Sequence, residues 1–414
     1  MDRLQNRLSI LSLQYHCYPD EVGGAWGLTY EVNRRLVERG HKVYQLTCKS
    51  SKNQPSEEVI EGIQFQRVSL QQSKSFLSLW NAIRKQVKTI LKQGPIHLIH
   101  IHNPLIGFIT LLLPDLWKVP KIYHFHSSWF DEERINAVGM DRVSLGLKIR
   151  LEMIRIMEWS CYKFSRTLLF LSEYSKGRFM EYYSLSKPDL KIIPGGVDLK
   201  EFHPLEPEEN KDEIRERLSL RKSVPLILTV RRLEERMGLE NLISAVEILV
   251  NKNPEKVFQL AIVGKGSLQQ RLENLISEKD LSDWVRITGL VPRETLPFYF
   301  RCADLFVLPT TAIEGFGLVT AESFASGLPV MGTPVGATKE LLSLVDEGLI
   351  FEGTSPKALA KGIEHFLAHT DYYFQLKSKC RETAEINYSW ESVTDQIEEV
   401  LINFYNDKNP SGKI

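Results

Sequence analysis

The sequence predicts an α/β protein built from two doubly wound parallel sheets. Three observations carry that reading: short apolar runs alternate with helix-patterned stretches through both halves, 414 residues exceed what a single core usually serves, and glycine turns recur directly after apolar runs. In the first half, residues 8–13, 43–48, 98–102, 121–125 and 167–172 read as strands, and 29–39, 77–92 and 143–164 as helices. Gly40 and Gly94-Pro95 stop the first two of these helices. In the second half, strands are expected at 226–230, 258–263, 285–287, 305–308 and 330–332. Helices are expected at 239–251, at 268–278, and in the pattern that follows Gly317 and stops at Gly327. Two domains result, 1–198 and 199–388, with the Pro- and Glu-rich stretch 198–212 as linker. A last helical pattern, 389–405, follows sequence that reads as irregular. Residues 389–414 are expected to pack back on the first domain.

Composition excludes several classes. Hydrophobic residues at 43% and charged residues at 25% are ordinary for a globular chain. The longest apolar run, 105–113, is nine residues and ends at Pro114, too short to span a bilayer. The opening MDRLQNR leads straight into a strand pattern without a signal-peptide layout. Five scattered cysteines without CxxC spacing argue for reduced thiols in a cytoplasm and against a zinc site.

Net charge is zero but unevenly shared: residues 1–198 hold 27 Lys/Arg against 19 Asp/Glu, and 199–414 hold 25 against 33. Lys74, Arg84, Lys85, Lys88 and Lys92 fall in a stretch with no acid, and 142–163 is a long apolar-basic helix candidate with Lys148, Arg150 and Arg155. A solvated helix face is the plain reading of both. Contact with an anionic membrane or a lipid phosphate is the functional one. Nothing interleaves aromatic and basic residues as nucleic-acid binding would require.

The segment 305–328, LFVLPTTAIEGFGLVTAESFASGL, is the most informative. A strand, a glycine loop and a helix start leave backbone amides uncovered for anions and hydroxyls. Glu314 lies in the loop and Glu322 lies one to two turns into the helix. A carboxylate accepts two hydrogen bonds from a vicinal diol, so this pair could hold two sugar rings; a solvated helix start is the alternative. TVRRLEERMG (229–238) places Arg231, Arg232 and Arg236 directly after a strand. Three guanidiniums there suit a diphosphate, each forked bond worth about 1.5–3 kcal/mol, unless salt bridges to Glu234 and Glu235 absorb them.

Gly264-Lys265-Gly266 is a further glycine loop without Walker residues, so it reads as a loop near the ligand. GGAWG (23–27) sits between the first strand and helix, where glycine lets backbone approach a phosphate or sugar or simply makes a tight turn. It lacks GxGxxG, which disfavours a dinucleotide. His100 and His102, with His97 nearby, form a same-face pair with no third ligand in view, and read as satisfied core histidines. His126 in YHFHSSW closes a strand at the sheet's mouth, where its imidazole could contact substrate. Asp131, Glu132 and Glu133 read as a solvated acidic turn.

Taken together, GGAWG, YHFHSSW, LSEYSKG, IIPGGVDLKEFHP, VRRLEERMGLENLI, IVGKGSL and EGFGLVTAESFASGLPVMGTPVGATKEL resemble the family-4 retaining glycosyltransferases of the GT-B fold, in order along nearly the whole chain. The resemblance implies two Rossmann-like domains facing a cleft, the first for acceptor and the second for donor, with the terminal helix crossing back. Residue by residue it implies Glu322 on the nucleotide ribose and Glu314 on donor sugar hydroxyls. Phe316, Gly317 and Leu318 offer amides, Arg232 meets the diphosphate, Gly24 and Gly264 lie near the donor, and His126 lies near the reacting sugar. Met237 stands where the family usually has lysine; Arg236 and Arg231 are the nearby charges that could replace it.

Retaining glycosidases use two carboxyls about 5–5.5 Å apart. Both glutamates are otherwise occupied here, so front-face attack is expected. The absence of a DxD-like pair implies no metal and no cofactor beyond the nucleotide sugar. The expected reaction is hexose transfer, best UDP-glucose, to a saccharide or lipid-linked acceptor in polysaccharide or glycolipid synthesis. The alternatives are GDP-mannose transfer or a non-catalytic sugar-nucleotide-binding subunit. A cytoplasmic protein, peripheral at the inner face of the plasma membrane, is the expected setting.

Overall fold

The protein's structure, a computed structural model, describes residues 7–21, 23–69, 75–136, 145–183, 185, 188–255 and 257–406. Lys74, the first residues (142–144) of the second basic stretch, and residues 407–414 lie outside them. The chain divides into two compact units, residues 1–193 with 393–414, and residues 194–392. Each has its own sheet.

In unit 1 the strands are β1 (Ser9–Leu13), β2 (Lys42–Cys48), β3 (Glu57–Ile60), β4 (Ile63–Val68), β5 (Leu98–Ile101), β6 (Lys121–Phe125), β7 (Thr167–Phe170) and β8 (Asp189–Ile192). They lie in the order β3-β4-β2-β1-β5-β6-β7-β8. Every pairing is parallel except β3 with β4. Central strands are covered on both faces, which is why β5, β6 and β7 are buried throughout, His100, Lys121 and His124 included.

Helix Phe76–Lys92 starts on a reciprocal Ser75–Ser78 cap and buries Leu79, Ile83, Val87 and Ile90, one stripe at helical spacing. Those side chains join Leu11, Tyr44, Ile99, Tyr162 and Phe170 in the core. The terminal helix Trp390–Asn406 contributes Val393, Ile397, Leu401 and Phe404 as buried residues. It is tied to unit 1 by Glu398, which meets Arg39 at 2.6 Å and His41 at 2.9 Å.

In unit 2 the strands are β9 (Leu226–Val230), β10 (Gln259–Val263), β11 (Val285–Gly289), β12 (Leu305–Leu308) and β13 (Val330–Gly332). They form an all-parallel sheet in the order β11-β10-β9-β12-β13. The order reverses beside β9 and β12, the place where open α/β sheets take ligands beyond their carboxyl ends.

Three expectations change. Residues 198–212 are not a connector between units, because the division falls at 193/194 and the stretch belongs to unit 2. The sequence before the terminal helix is not irregular: it forms helices Pro356–Ala368 and Thr370–Tyr388. The first helix begins at Gly24, five residues ahead of the expected start. Among the described residues no helix is long and apolar enough to cross a membrane.

Candidate active site

Unit 2 presents its chemistry on the loops after β9, β10 and β12. After β12 the chain turns at Ile313, whose φ of 53° is a left-handed conformation that β-branched residues rarely adopt. Arg236 holds that turn, its Nη1 donating to the Ile313 carbonyl at 2.9 Å. From the far side, the Ala337 N–H donates to the Glu314 carbonyl at 2.9 Å.

Thus fixed, the buried Glu314 carboxylate accepts through Oε2 from Arg231 Nη2 at 2.7 Å and from Thr310 Oγ1 at 3.0 Å. Its Oε1 makes no hydrogen bond among the described residues and faces Gly317, where a Cβ would stand 3.7 Å away. Gly317 has φ 84° and begins the helix Leu318–Ala325, a conformation that glycine alone adopts cheaply. The N–H groups of Phe316 and Gly317 make no hydrogen bond among the described residues. Leu318 opens the helix, so its N–H lies outside the helical ladder. One free carboxylate oxygen therefore adjoins a run of free amides.

Glu322 lies in the second turn of that helix, half-buried, with no partner for its carboxylate among the described residues. Burial, and next the charge of Glu201, push its pKa up to about 7, with Arg293 opposing. A carboxyl so perturbed, on the helix that follows the Glu314 loop, is a candidate functional group.

The arginines divide their work differently from the expectation. Arg231 does not pair with Glu234 or Glu235; its Nη2 is on Glu314 and also touches Met237 Sδ at 2.9 Å. Arg236 is engaged with Ile313. Both charges are held inside the loop because each has a neighbour on the β12 loop that the sequence does not reveal. Glu234 bonds Ser267 and Glu235 pairs with Arg271. Arg232, by contrast, is exposed and its guanidinium makes no hydrogen bond or ion pair among the described residues.

The loop after β10 lies directly on the loop after β9. A Cβ on Gly264 would stand 1.8 Å from the Arg231 carbonyl oxygen, and Leu233 N–H donates to the Lys265 carbonyl at 3.0 Å. Gly264 thus serves this close approach. It brings in Lys265, whose exposed side chain makes no hydrogen bond or ion pair among the described residues, a cation on the loop packed against Arg231 and Leu233 that sequence reasoning passed over. The signal was present in the lysine between two glycines.

In unit 1, Gly24 opens the helix Gly24–Glu38, which has no side-chain N-cap, so its first amides are unsatisfied. His126 follows β6; its Nε2 lies 3.0 Å from His102 Nδ1, and burial lowers its pKa to about 4, so the imidazole is neutral at physiological pH. Asp131 is not part of a solvated turn: it is buried against Arg178, Arg134 and Tyr182. His100 and His102 are buried as expected but are not satisfied. Both ring nitrogens of His100 and Nε2 of His102 lack a partner among the described residues.

Comparison with known proteins decides the family. Residues 22–201 match the model for "Glycosyltransferase Family 4" and residues 210–386 that for "Glycosyl transferases group 1". The chain belongs to the family-4, group 1 glycosyltransferases. It is a hexosyltransferase, and its architecture is GT-B. Among its relatives is a D-inositol 3-phosphate glycosyltransferase of Corynebacterium urealyticum, 28% identical over 73% of this chain and 70% of the relative. Sucrose-phosphate synthase from Thermosynechococcus elongatus superposes with a TM-score of 0.81 at 22% identity, covering 97% of this chain and all of that one. Anabaena HepE, solved in complex with UDP and glucose, superposes with a TM-score of 0.76 at 19% identity over 95% of this glycosyltransferase and 99% of HepE.

Proposed function

We propose that this glycosyltransferase moves glucose from UDP-glucose to a saccharide or lipid-linked acceptor, with retention and without a metal ion. The observation that carries the reading is the Glu314–Gly317 loop, with one open carboxylate oxygen beside the unengaged amides of Phe316 and Gly317, and a Glu322 carboxylate without a partner among the described residues on the helix that follows.

In this reading Glu322 accepts both hydroxyls of the ribose, and Glu314 Oε1 accepts a hydroxyl of the hexose. Arg232 and Lys265 face the diphosphate and stabilise the charge that grows on it as the anomeric bond breaks. With both glutamates so used, no carboxylate is left as nucleophile. The acceptor oxygen then attacks the anomeric carbon from the face that the nucleotide leaves. The bond from that carbon to the phosphate oxygen breaks, and the acceptor's proton passes to the departing diphosphate. Products are the glycoside and UDP. Neutral His126 suits a hydrogen bond to a sugar hydroxyl rather than delivery of a proton. HepE's complex with UDP and glucose supports uridine over guanosine as the base to test first.

A thermal-shift panel of nucleotides and nucleotide sugars tests the donor. UDP and UDP-glucose are expected to raise the melting temperature, and stabilisation by GDP alone would replace the reading with GDP-mannose transfer. Release of nucleotide only with acceptor present separates an enzyme acting on this donor from a binding subunit.

The pH dependence follows from Glu322. Only the ionised carboxylate accepts both ribose hydroxyls, so affinity for UDP-glucose is expected to rise about tenfold between pH 6 and 8, by isothermal titration, and to be flat in Glu322→Gln. The stability sign is opposite. The folded carboxyl holds its proton more tightly than an unfolded one near 4.5, so its contribution is present below that pH and lost as pH climbs through about 7. Free Glu322→Gln should therefore melt above the parent at pH 8.

A membrane reading rests on a separate observation. Helix Leu145–Phe164 exposes Leu145, Ile149, Met153 and Ile156 at helical spacing, with Lys148, Arg150, Arg155 and Lys163 also exposed. An apolar stripe flanked by cations suits the surface of an anionic bilayer, where a lipid-linked acceptor resides. Pelleting with phosphatidylserine vesicles is expected and should fall in Ile149→Glu. Equal pelleting with neutral vesicles would remove the electrostatic part.

A further inference from the structure

Two neighbouring strands of unit 1 bring four imidazoles onto one face of the sheet. His100 lies on β5 and His102 directly follows it; His124 lies on β6 and His126 directly follows it. The parallel register pairs His100 with Ile122, which sets His102 level with His124. The rings touch: centroids are 4.0 Å apart for His100 and His102, 5.3 Å for His102 and His124, and 4.8 Å for His124 and His126.

The first three are buried, at 0%, 4% and 1% exposure, and five of their six ring nitrogens have no hydrogen-bond partner among the described residues. Burying so many unpaired polar atoms together is costly unless something satisfies them. One ring nitrogen from each of His100, His102 and His124 lies within 4.8 Å of the others. The sequence reading had only the i, i+2 pair; the third imidazole comes from the adjacent strand.

We propose that His100, His102 and His124 form a binding site for one divalent first-row metal ion, with zinc the best fit. Three neutral nitrogen donors are a zinc set, and imidazole without thiolate or carboxylate disfavours calcium and magnesium. The absence of CxxC spacing bears only on cysteine sites. Zinc–nitrogen bonds of about 2.0–2.1 Å in a tetrahedron require nitrogens about 3.3 Å apart, so the rings must close from their present spacing, within 4.8 Å of one another, when the ion binds. The sixth nitrogen, His102 Nδ1, is 3.0 Å from His126 Nε2, the outer contact that orients a ligating histidine. With the ion on His102 Nε2, Nδ1–H donates to His126, which fixes the proton of His126 on its own Nδ1. The site stands independently of the donor assignment.

Zinc content of the full chain tests it. The protein is stripped with EDTA, dialysed against micromolar zinc and measured by inductively coupled plasma mass spectrometry. About one equivalent is expected in the parent and in His369→Ala, which removes the other close pair, His365 and His369, whose rings are 4.3 Å apart. Less than about 0.2 equivalent is expected in His124→Gln. Zinc at a hundredfold excess over its dissociation constant should raise the melting temperature by about 5–10 °C. Cobalt substitution supplies a readout on the parent alone, so the test survives if His124→Gln does not fold: an intense tetrahedral visible spectrum supports the site. A parent that retains no metal, a six-coordinate cobalt spectrum, or a folded His124→Gln that still holds one equivalent would overturn it. A dry or water-filled cluster gives the first of these results.

Discussion

Arg232→Ala is expected to lower kcat/KM by about 10²–10³-fold while leaving the melting temperature of the free protein within about 1 °C. The two halves of that expectation come from one feature: the Arg232 side chain is exposed and has no intramolecular partner among the described residues. Its removal therefore breaks nothing in the unliganded fold, and surface changes of this kind usually stay within about 0.5 kcal/mol. Charge on the diphosphate grows as the anomeric bond breaks, so the guanidinium binds the transition state better than the ground state, and the loss should fall mainly on kcat. One missing donor at a developing charge costs about that much in other enzymes. Arg232→Lys should recover only part, because an ammonium cannot fork across two phosphate oxygens. Lys265→Ala, at the neighbouring cation, should cost less. Steady-state release of UDP measures all three, and an Arg232→Ala rate within threefold of the parent would remove Arg232 from the diphosphate.

Glu314→Ala is expected to abolish measurable transfer and to lower the melting temperature by roughly 10 °C. Glu314 and Arg231 are both buried, with side chains 10% and 7% exposed, and their contact is 2.7 Å. Deleting one partner of such a pair leaves a buried charge uncompensated, at a cost of about 3–5 kcal/mol. Glu314→Gln separates the two effects. Its amide oxygen still accepts from Arg231, so most of the stability should return, whereas the amide group accepts sugar hydroxyls less strongly and turnover should remain at least about 10²-fold down. Differential scanning calorimetry and initial rates on the same preparations read both. Full activity in Glu314→Gln would mean that the sugar does not need the carboxylate.

How much of this was legible beforehand depended on whether a residue's partner lies near it in sequence. Strands 121–125, 226–230, 305–308 and 330–332 form at their expected bounds; β9 and β12, central in their sheet, are apolar on both faces and announce themselves. β3, with sequence EEVI, does not: it is an exposed edge strand with no apolar signature. Helix Thr370–Tyr388 was missed for a related reason, since its polar and aromatic residues blur the helical period. The helix start at Gly24 was hidden by glycines that ordinarily disfavour helix.

In the candidate site, Glu314, Glu322 and Arg232 were legible as a loop, a helix turn and a charge after a strand. The engagement of Arg231 and Arg236 was not, because their partners lie 83 and 77 residues away. The third histidine of the buried cluster was hidden in the same way, since β5 and β6 meet only in the sheet.

A crystal structure with UDP bound addresses the central claim most directly. The ribose hydroxyls are expected within hydrogen-bond distance of the Glu322 carboxylate, with the diphosphate against Arg232 and the amides of residues 316–318. Nucleotide density seated elsewhere, with Glu322 and Arg232 unengaged, would contradict it.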